Sequence, residues 1–233
     1  MKRTVRGFIV VAVCFFFSTQ TWALDIYFVR HAETVANATG NYTDENQKEF
    51  TEKGEKQRNE LVKNLEPYVF DYILVSPLYR TRETIKPYLM RYHRRAEIWP
   101  EFAECCWQNN QDEPAVLPLK MGDEIGIFER ENRYFIFRDP KSHFFYNTNE
   151  RFADGVEQLK KGTALLEKRY GDTDMSILVV AHSLSIGTML QLLLNQPISE
   201  RPYIENTAIS HVYRNPDGTY ALLMLNGENV ADV

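Results

Sequence analysis

The sequence predicts an α/β fold, a three-layer α/β/α sandwich with a mostly parallel central sheet. Two observations predict it. Three short apolar runs, Ile26-Tyr27-Phe28-Val29, Tyr72-Ile73-Leu74-Val75 and Ser176 to Ala181, have the length and unbroken hydrophobicity of strands buried on both faces. Stretches with apolar residues at helical spacing follow each of them, and repeated β-then-α units cover a parallel sheet with helices on both faces.

The chain opens with a segment that lies outside this pattern. Lys2, Arg3 and Arg6 form a basic start, Phe8 to Phe17 is an unbroken apolar run, and Thr21-Trp22-Ala23 ends in a small residue suited to cleavage. That layout predicts a secretory signal peptide over residues 1–23, and a protein exported to the periplasm or secreted. The run is short for a bilayer span, which takes ~20 residues as a helix. An uncleaved anchor and a buried strand are the other readings, and stable membrane insertion after cleavage is not expected. Val13 is bulky where a lipoprotein signal at Cys14 needs a small residue.

The mature part, residues 24–233, then reads in order. Thr51 opens a helix to about Leu65, with Leu61, Val62 and Leu65 at helical spacing. A second helix runs from Arg82 to about Tyr92. A third, over residues 150–170, carries Phe152, Val156, Leu159, Thr163 and Leu166 on one face. The apolar stretch Leu184 to Leu194 is a helix stopped by Asn195 and Pro197. Ile209 to Tyr213 and Tyr220 to Leu225 flank Asn215-Pro216-Asp217-Gly218, a hairpin signal. Residues 105–149 match no regular pattern and read as an irregular insertion over one edge of the sheet. Trp107, Tyr134 and Phe144 within it either pack on a ligand or fill the core.

Charge and cysteine content narrow the function. The chain has 27 Lys and Arg against 32 Asp and Glu; loss of residues 1–23 removes three basic residues and no acid, so the balance falls from −5 to −8 (24 against 32). An acidic protein of this kind is not expected to bind nucleic acid, and any local cluster of cations becomes informative. Only Cys105 and Cys106 remain after cleavage, and adjacent Cα atoms about 3.8 Å apart are poorly placed for a disulfide. Buried free thiols are expected there, with a vicinal redox pair as the sharper alternative. No metal-ligand spacing and no glycine-rich nucleotide loop is present, so no metal or cofactor is expected.

The chemistry gathers at the strand ends. The first strand runs into Arg30-His31, the second into Ser76-Pro77-Leu78-Tyr79-Arg80, the third into His182-Ser183. Ligands bind outside the carboxyl ends of the strands of an open parallel sheet. Two arginines and two histidines converging there make an anion site. Arginine clamps phosphate in bidentate fashion, while a neutral histidine serves as nucleophile or proton carrier. A nucleophilic His needs cations around the transferring phosphoryl group and an acid for the leaving alkoxide. His93, His143 and His211 are read as surface or structural residues.

Arg30-His31-Ala32-Glu33-Thr34 with Asn37 resembles the Arg-His-Gly-x-Thr-x-x-Asn signature of the histidine phosphatase superfamily, in its phosphoglycerate mutase-like branch. Phe50-Thr51-Glu52-Lys53-Gly54 is similar to its Leu-Thr-x-x-Gly segment, and Ser76 to Thr84 to its Ser-Pro-Leu-x-Arg-x-x-x-Thr segment. Val179-Val180-Ala181-His182 and Asn206-Thr207-Ala208-Ile209 also resemble family segments, in the family's order across most of residues 24–226. The resemblance implies a phosphoglycerate mutase-like fold. It implies His31 as the phosphoryl-accepting nucleophile, Arg30, Arg80 and His182 as ligands of the phosphate oxygens, and Asn37 as a further phosphate donor. The proton donor falls on Glu104, with Glu101 a close rival.

The departures are Ala32 and Ser183 where the family carries Gly, and Cys105-Cys106-Trp107-Gln108 where it carries Gly-x-Trp-Glu. The expected activity is that of a histidine-type phosphatase acting on a small phosphorylated substrate through a phosphohistidine. A mutase of the same family and a non-catalytic phospho-ligand-binding protein are the alternatives. Oligomeric state is not legible in the sequence.

Overall fold

The computed structural model describes residues 23–107, 119–127, 133–147 and 151–232. The expected signal peptide, apart from Ala23, and parts of the expected insertion lie outside the described residues. Eight strands form one sheet: β1 (Leu24–Arg30), β2 (Tyr72–Val75), β3 (Ala96–Ile98), β4 (Phe135–Phe137), β5 (Ser176–Ala181), β6 (Ile209–Arg214), β7 (Tyr220–Leu225) and β8 (Glu228–Asn229). The helices are α1 (Val35–Thr39), α2 (Glu52–Asn64), α3 (Tyr79–Arg91), α4 (Phe152–Tyr170) and α5 (Ser183–Leu193).

The sheet order is β4-β3-β2-β5-β1-β6-β7-β8. From β4 to β1 all neighbours pair in parallel, while β6, β7 and β8 continue the sheet antiparallel. The sheet is therefore mixed, parallel only in its larger part. Tight turns at residues 215–218 and at Asn226-Gly227, both with glycine at positive φ, reverse the chain between β6 and β7 and between β7 and β8 with no helix between them, while β6 itself enters antiparallel to β1 after α5.

Alternation along the central strands divides the core into two layers. Leu24, Ile26 and Phe28 of β1 and Ile177, Val179 and Ala181 of β5 face α4 and α5, together with Trp99, Phe102, Leu159, Ile186 and Met189. Val29, Leu178 and Val180 face the opposite way, onto Leu61 and Leu65 of α2 and Ile85 and Leu89 of α3. Burying each such side chain contributes ~1.5–3 kcal/mol relative to leaving it in water, which is why these runs are unbroken in the sequence.

Two local devices lock the outer helices. Pro87 sits inside α3 and has no N–H for the carbonyl of Glu83, and the Nε of Arg58 on α2 donates to that carbonyl instead, at 3.0 Å. On the other face, α4 lies directly on residues 101–106 at two glycines; a Cβ at Gly155 would stand 2.8 Å from Cβ of Cys105 and 2.9 Å from Sγ of Cys106. Both cysteines are buried free thiols.

The second helix begins three residues earlier than the sequence pattern indicates. Leu78 is extended, and the chain turns helical at Tyr79, immediately past Pro77-Leu78, so Arg80 lies in the first turn of α3 rather than in the preceding loop. Part of the irregular segment is ordered as sheet: β4 extends the parallel edge beside β3, and Asp139 caps the 3-10 turn that follows.

Candidate active site

Backbone pairing aligns the strand ends. Arg30 pairs with Ala181 and Val75 with Val180; the N–H of His31 donates to Ala181 and that of Ser76 to Val180, both at 3.0 Å. The residues just beyond β1, β2 and β5 therefore emerge side by side. The rings of His31 and His182 stand edge to face, centroids 5.2 Å apart.

His31 is held in one tautomer. Its Nδ1 lies 2.8 Å from the carbonyl of Ala32, which can only accept, so Nδ1 carries the proton. Nε2 keeps its lone pair and accepts from Nε of Arg80 at 3.2 Å. Burial, with the charges of Arg80 and Arg30, pushes the His31 pKa well below the usual imidazole value. The imidazole is thus neutral at pH 7, with Nε2 facing the cations.

The cations are fixed in turn. Arg30 donates through Nη1 to the carbonyl of Ile204 and the phenol of Tyr203, both at 2.8 Å. Arg80 also donates to Oε1 of Gln47 at 3.0 Å. Burial lowers its pKa to about 10, which leaves it charged at neutral pH. Asn37 accepts from the N–H of Thr34 through Oδ1, within the capping box of α1, and lines the cavity.

His182 is fully buried beside His31 and does not line the cavity. Its Nε2 lies 2.7 Å from Oγ of Ser76, while Nδ1 has no hydrogen-bond partner within the protein. Burial, Arg80 and His31 hold its pKa well below the ordinary value.

The two candidate acids separate clearly. Glu101 receives a bidentate pair from Arg138, at 2.9 and 3.0 Å, with that guanidinium stacked over Trp99. Glu104 lines the cavity with His31, Arg30 and Arg80, and its Oε1 accepts from the N–H of Ser185 on α5 at 3.1 Å. Burial raises its pKa, against the opposing pull of Arg80. The geometry sets Glu104 at the anion site and Glu101 in a structural ion pair.

The cavity measures about 720 Å³ and its wall also includes Tyr42, Trp107, Ser183, Leu184 and Tyr203. Tyr134, half-buried, packs against the core instead, and Phe144 lies on the surface. His93 is exposed, and His211 pairs with Asp25 at 2.6 Å.

Several contributors were not singled out in the sequence. Thr84 Oγ1 accepts from the N–H of Ala32 at 2.9 Å, and Asn206 Nδ2 donates to the carbonyl of His31 at 2.7 Å. Both sit inside quoted motif segments, as does Ser76, so the signal was present. Gln47, Tyr42 and Tyr203 carry no pattern that marks them. Ser183 has a definite use: its Oγ donates to the carbonyl of Ile204 and accepts from its N–H, bracing the segment that grips Arg30.

A neutral imidazole between two guanidiniums at the carboxyl ends of parallel strands defines an anion-binding α/β protein equipped for phosphoryl chemistry. The family model for the histidine phosphatase superfamily (branch 1) matches residues 26–227, and the chain belongs to that superfamily. The Probable phosphoglycerate mutase GpmB of Erwinia tasmaniensis is 24% identical over 204 residues, 81% of this chain and 84% of that protein. Among solved structures, the alpha-ribazole phosphatase from Shigella flexneri superposes with a TM-score of 0.62 at 21% identity, covering 87% of this chain and 96% of its own. Phosphoserine phosphatase from Entamoeba histolytica, in complex with 3-phosphoglyceric acid, gives 0.60 at 20% identity, with 88% and 97% covered. These structural likenesses establish the fold.

Proposed function

We propose that the protein is an exported phosphomonoesterase that works through phospho-His31. The observation that carries this reading is the tautomer of His31, whose unprotonated Nε2 lies beside Arg80. Nε2 attacks phosphorus in line and the P–O bond to the alcohol breaks. The leaving oxygen takes the proton of Glu104, whose raised pKa suits a carboxyl kept protonated for that purpose. The Glu104 carboxylate then removes a proton from water; the resulting hydroxide attacks phosphorus, the P–N bond breaks, and phosphate leaves. Arg30, Arg80 and the Asn37 amide, which line the cavity, are the donors assigned to the phosphoryl oxygens, while His182 packs against His31 with its Nε2 on Ser76.

Export rests on the basic-apolar-small pattern of residues 1–23, and β1 begins at Leu24, directly after the expected cleavage point. Mass determination of the chain recovered from the periplasm or medium tests this; an N-terminus other than Leu24 would count against it.

The mutase reading is supported by the mutase name of the Erwinia relative. Phosphate release by residues 24–233 from an aryl phosphate, with His31→Ala beside the native protein, separates the two. Release that depends on His31 supports the phosphatase. Absence of release, with phosphoryl exchange between hydroxyls of one metabolite, supports the mutase.

A further inference from the structure

We infer that the natural substrate is a phosphomonoester whose leaving alcohol is uncharged and carries a flat ring, rather than a phosphorylated acid. The inference rests on the assignment of Arg30 and Arg80 to the phosphoryl group and concerns only what binds beyond it. Among the described residues lining the 720 Å³ cavity, Arg30 and Arg80 are the cations. Each is already held by fixed partners: Arg30 by Tyr203 and Ile204, Arg80 by His31 and Gln47. A second anionic group on the substrate, such as a carboxylate, would meet no further cation in this wall and would share the cavity with Glu104. Lys48 and Arg82 line an adjoining cavity of about 180 Å³, outside the larger one; Lys48 is paired with Asp44 at 2.6 Å, and the buried Arg82 lies over the ring of Phe135, 5.9 Å from its centroid.

The remaining wall is neutral and rich in flat surface. Tyr42, Trp107, Leu184 and Tyr203 line it, and Tyr42 and Tyr203 are 58% and 68% exposed. Large aromatic side chains left open to water at the mouth of an anion site are surface that a ring can cover. The volume lies within the ~300–1,000 Å³ typical of ligand pockets, well beyond what a phosphate alone fills. Size, apolar aromatic lining and the absence of a third cation in the described wall thus point to the same leaving group.

The test is binding to residues 24–233 carrying His31→Ala, which prevents turnover, measured calorimetrically with 1-naphthyl phosphate and with 3-phosphoglycerate. His31→Asn serves if the alanine variant does not fold. The expected result is at least tenfold tighter binding of the naphthyl ester, with most of that preference lost in Trp107→Ala or Tyr42→Ala and inorganic phosphate binding unchanged. Equal or tighter binding of 3-phosphoglycerate overturns the inference, as does a preference that survives both aromatic substitutions. Because this readout needs no turnover, it stands apart from the hydrolysis assay: a native protein that binds the naphthyl ester but releases no phosphate would sink the phosphatase reading and leave the ligand class intact.

Discussion

The Nε of Arg80 donates to Nε2 of His31 across 3.2 Å, so the guanidinium assigned to a phosphoryl oxygen also orients the ring beside it. The two residues reach each other from different strands, His31 from the end of β1 and Arg80 from the first turn of α3 after β2. Lysine would keep the charge and lose the planar fork that serves His31 and Gln47 together. Arg80→Lys is expected to lower kcat/KM for phosphate release by ~10²–10³, the scale of losing one preorganised electrostatic contact. Activity within threefold of the native protein would show that the pairing is dispensable.

Glu104 is expected to control both leaving-group and pH dependence. As an acid it must be protonated, so activity falls as pH rises through its raised pKa; as a nucleophile His31 must be neutral, so activity falls as pH drops through its depressed pKa. Glu104→Gln should cost ~10²–10⁴ in kcat on alkyl phosphates, whose alkoxides need the proton, and far less on 4-nitrophenyl phosphate. It should also flatten the alkaline limb of the profile. Equal losses on both esters, with the limb unchanged, would assign the proton to another group.

The contrast between Glu104 and Glu101 marks the limit of what the sequence carried. Apolar runs gave β2 and β5 to the residue, because burial on both faces leaves an unmistakable composition. Arg30, His31, Arg80 and Asn37 were legible because strand ends and motif spacing place them. Two glutamates three residues apart differ only in what faces them. Arg138, which claims Glu101, lies 37 positions away in the irregular segment, and the Ser185 amide that meets Glu104 comes from α5. Such long-range partners have no local signal. The same applies to Tyr203 and Gln47, and to β4, a three-residue strand whose pairing is wholly tertiary.

Gly54 gives a stability prediction at the edge of the site. A Cβ there would stand 2.0 Å from the carbonyl oxygen of Glu33, the second residue after His31. Alanine is the better helix former by ~1 kcal/mol, but here it would have to displace backbone rather than a flexible side-chain end. Gly54→Ala is therefore expected to destabilise the fold by ~2 kcal/mol net, lowering Tm by ~4–8 °C in a thermal melt of residues 24–233. Phosphate release should fall with it, since the Glu33 carbonyl cannot move without shifting the turn after His31. A Tm that holds or rises would show that the contact relaxes freely.

The paired histidines make folding stability depend on pH in a definite direction. Both have folded pKa values well below 6.5, chiefly through burial and then through Arg80. Below pH 6.5 the unfolded chain takes up protons that the folded one refuses, so their contribution is present above that pH and is lost as pH falls toward the folded values. Each histidine adds a slope of up to ~1.4 kcal/mol per pH unit in that window. Glu104 works in the opposite sense, because its raised pKa makes the folded state the better proton acceptor above 4.5. Two histidines against one carboxyl leave a net loss on acidification. Urea midpoints of the native protein should therefore fall from pH 7.5 to 5.5, and His182→Asn should reduce that dependence while retaining the Ser76 side as a hydrogen-bonding partner. A midpoint that climbs toward pH 5.5, and does so equally in His182→Asn, would show that the buried imidazoles do not carry the dependence.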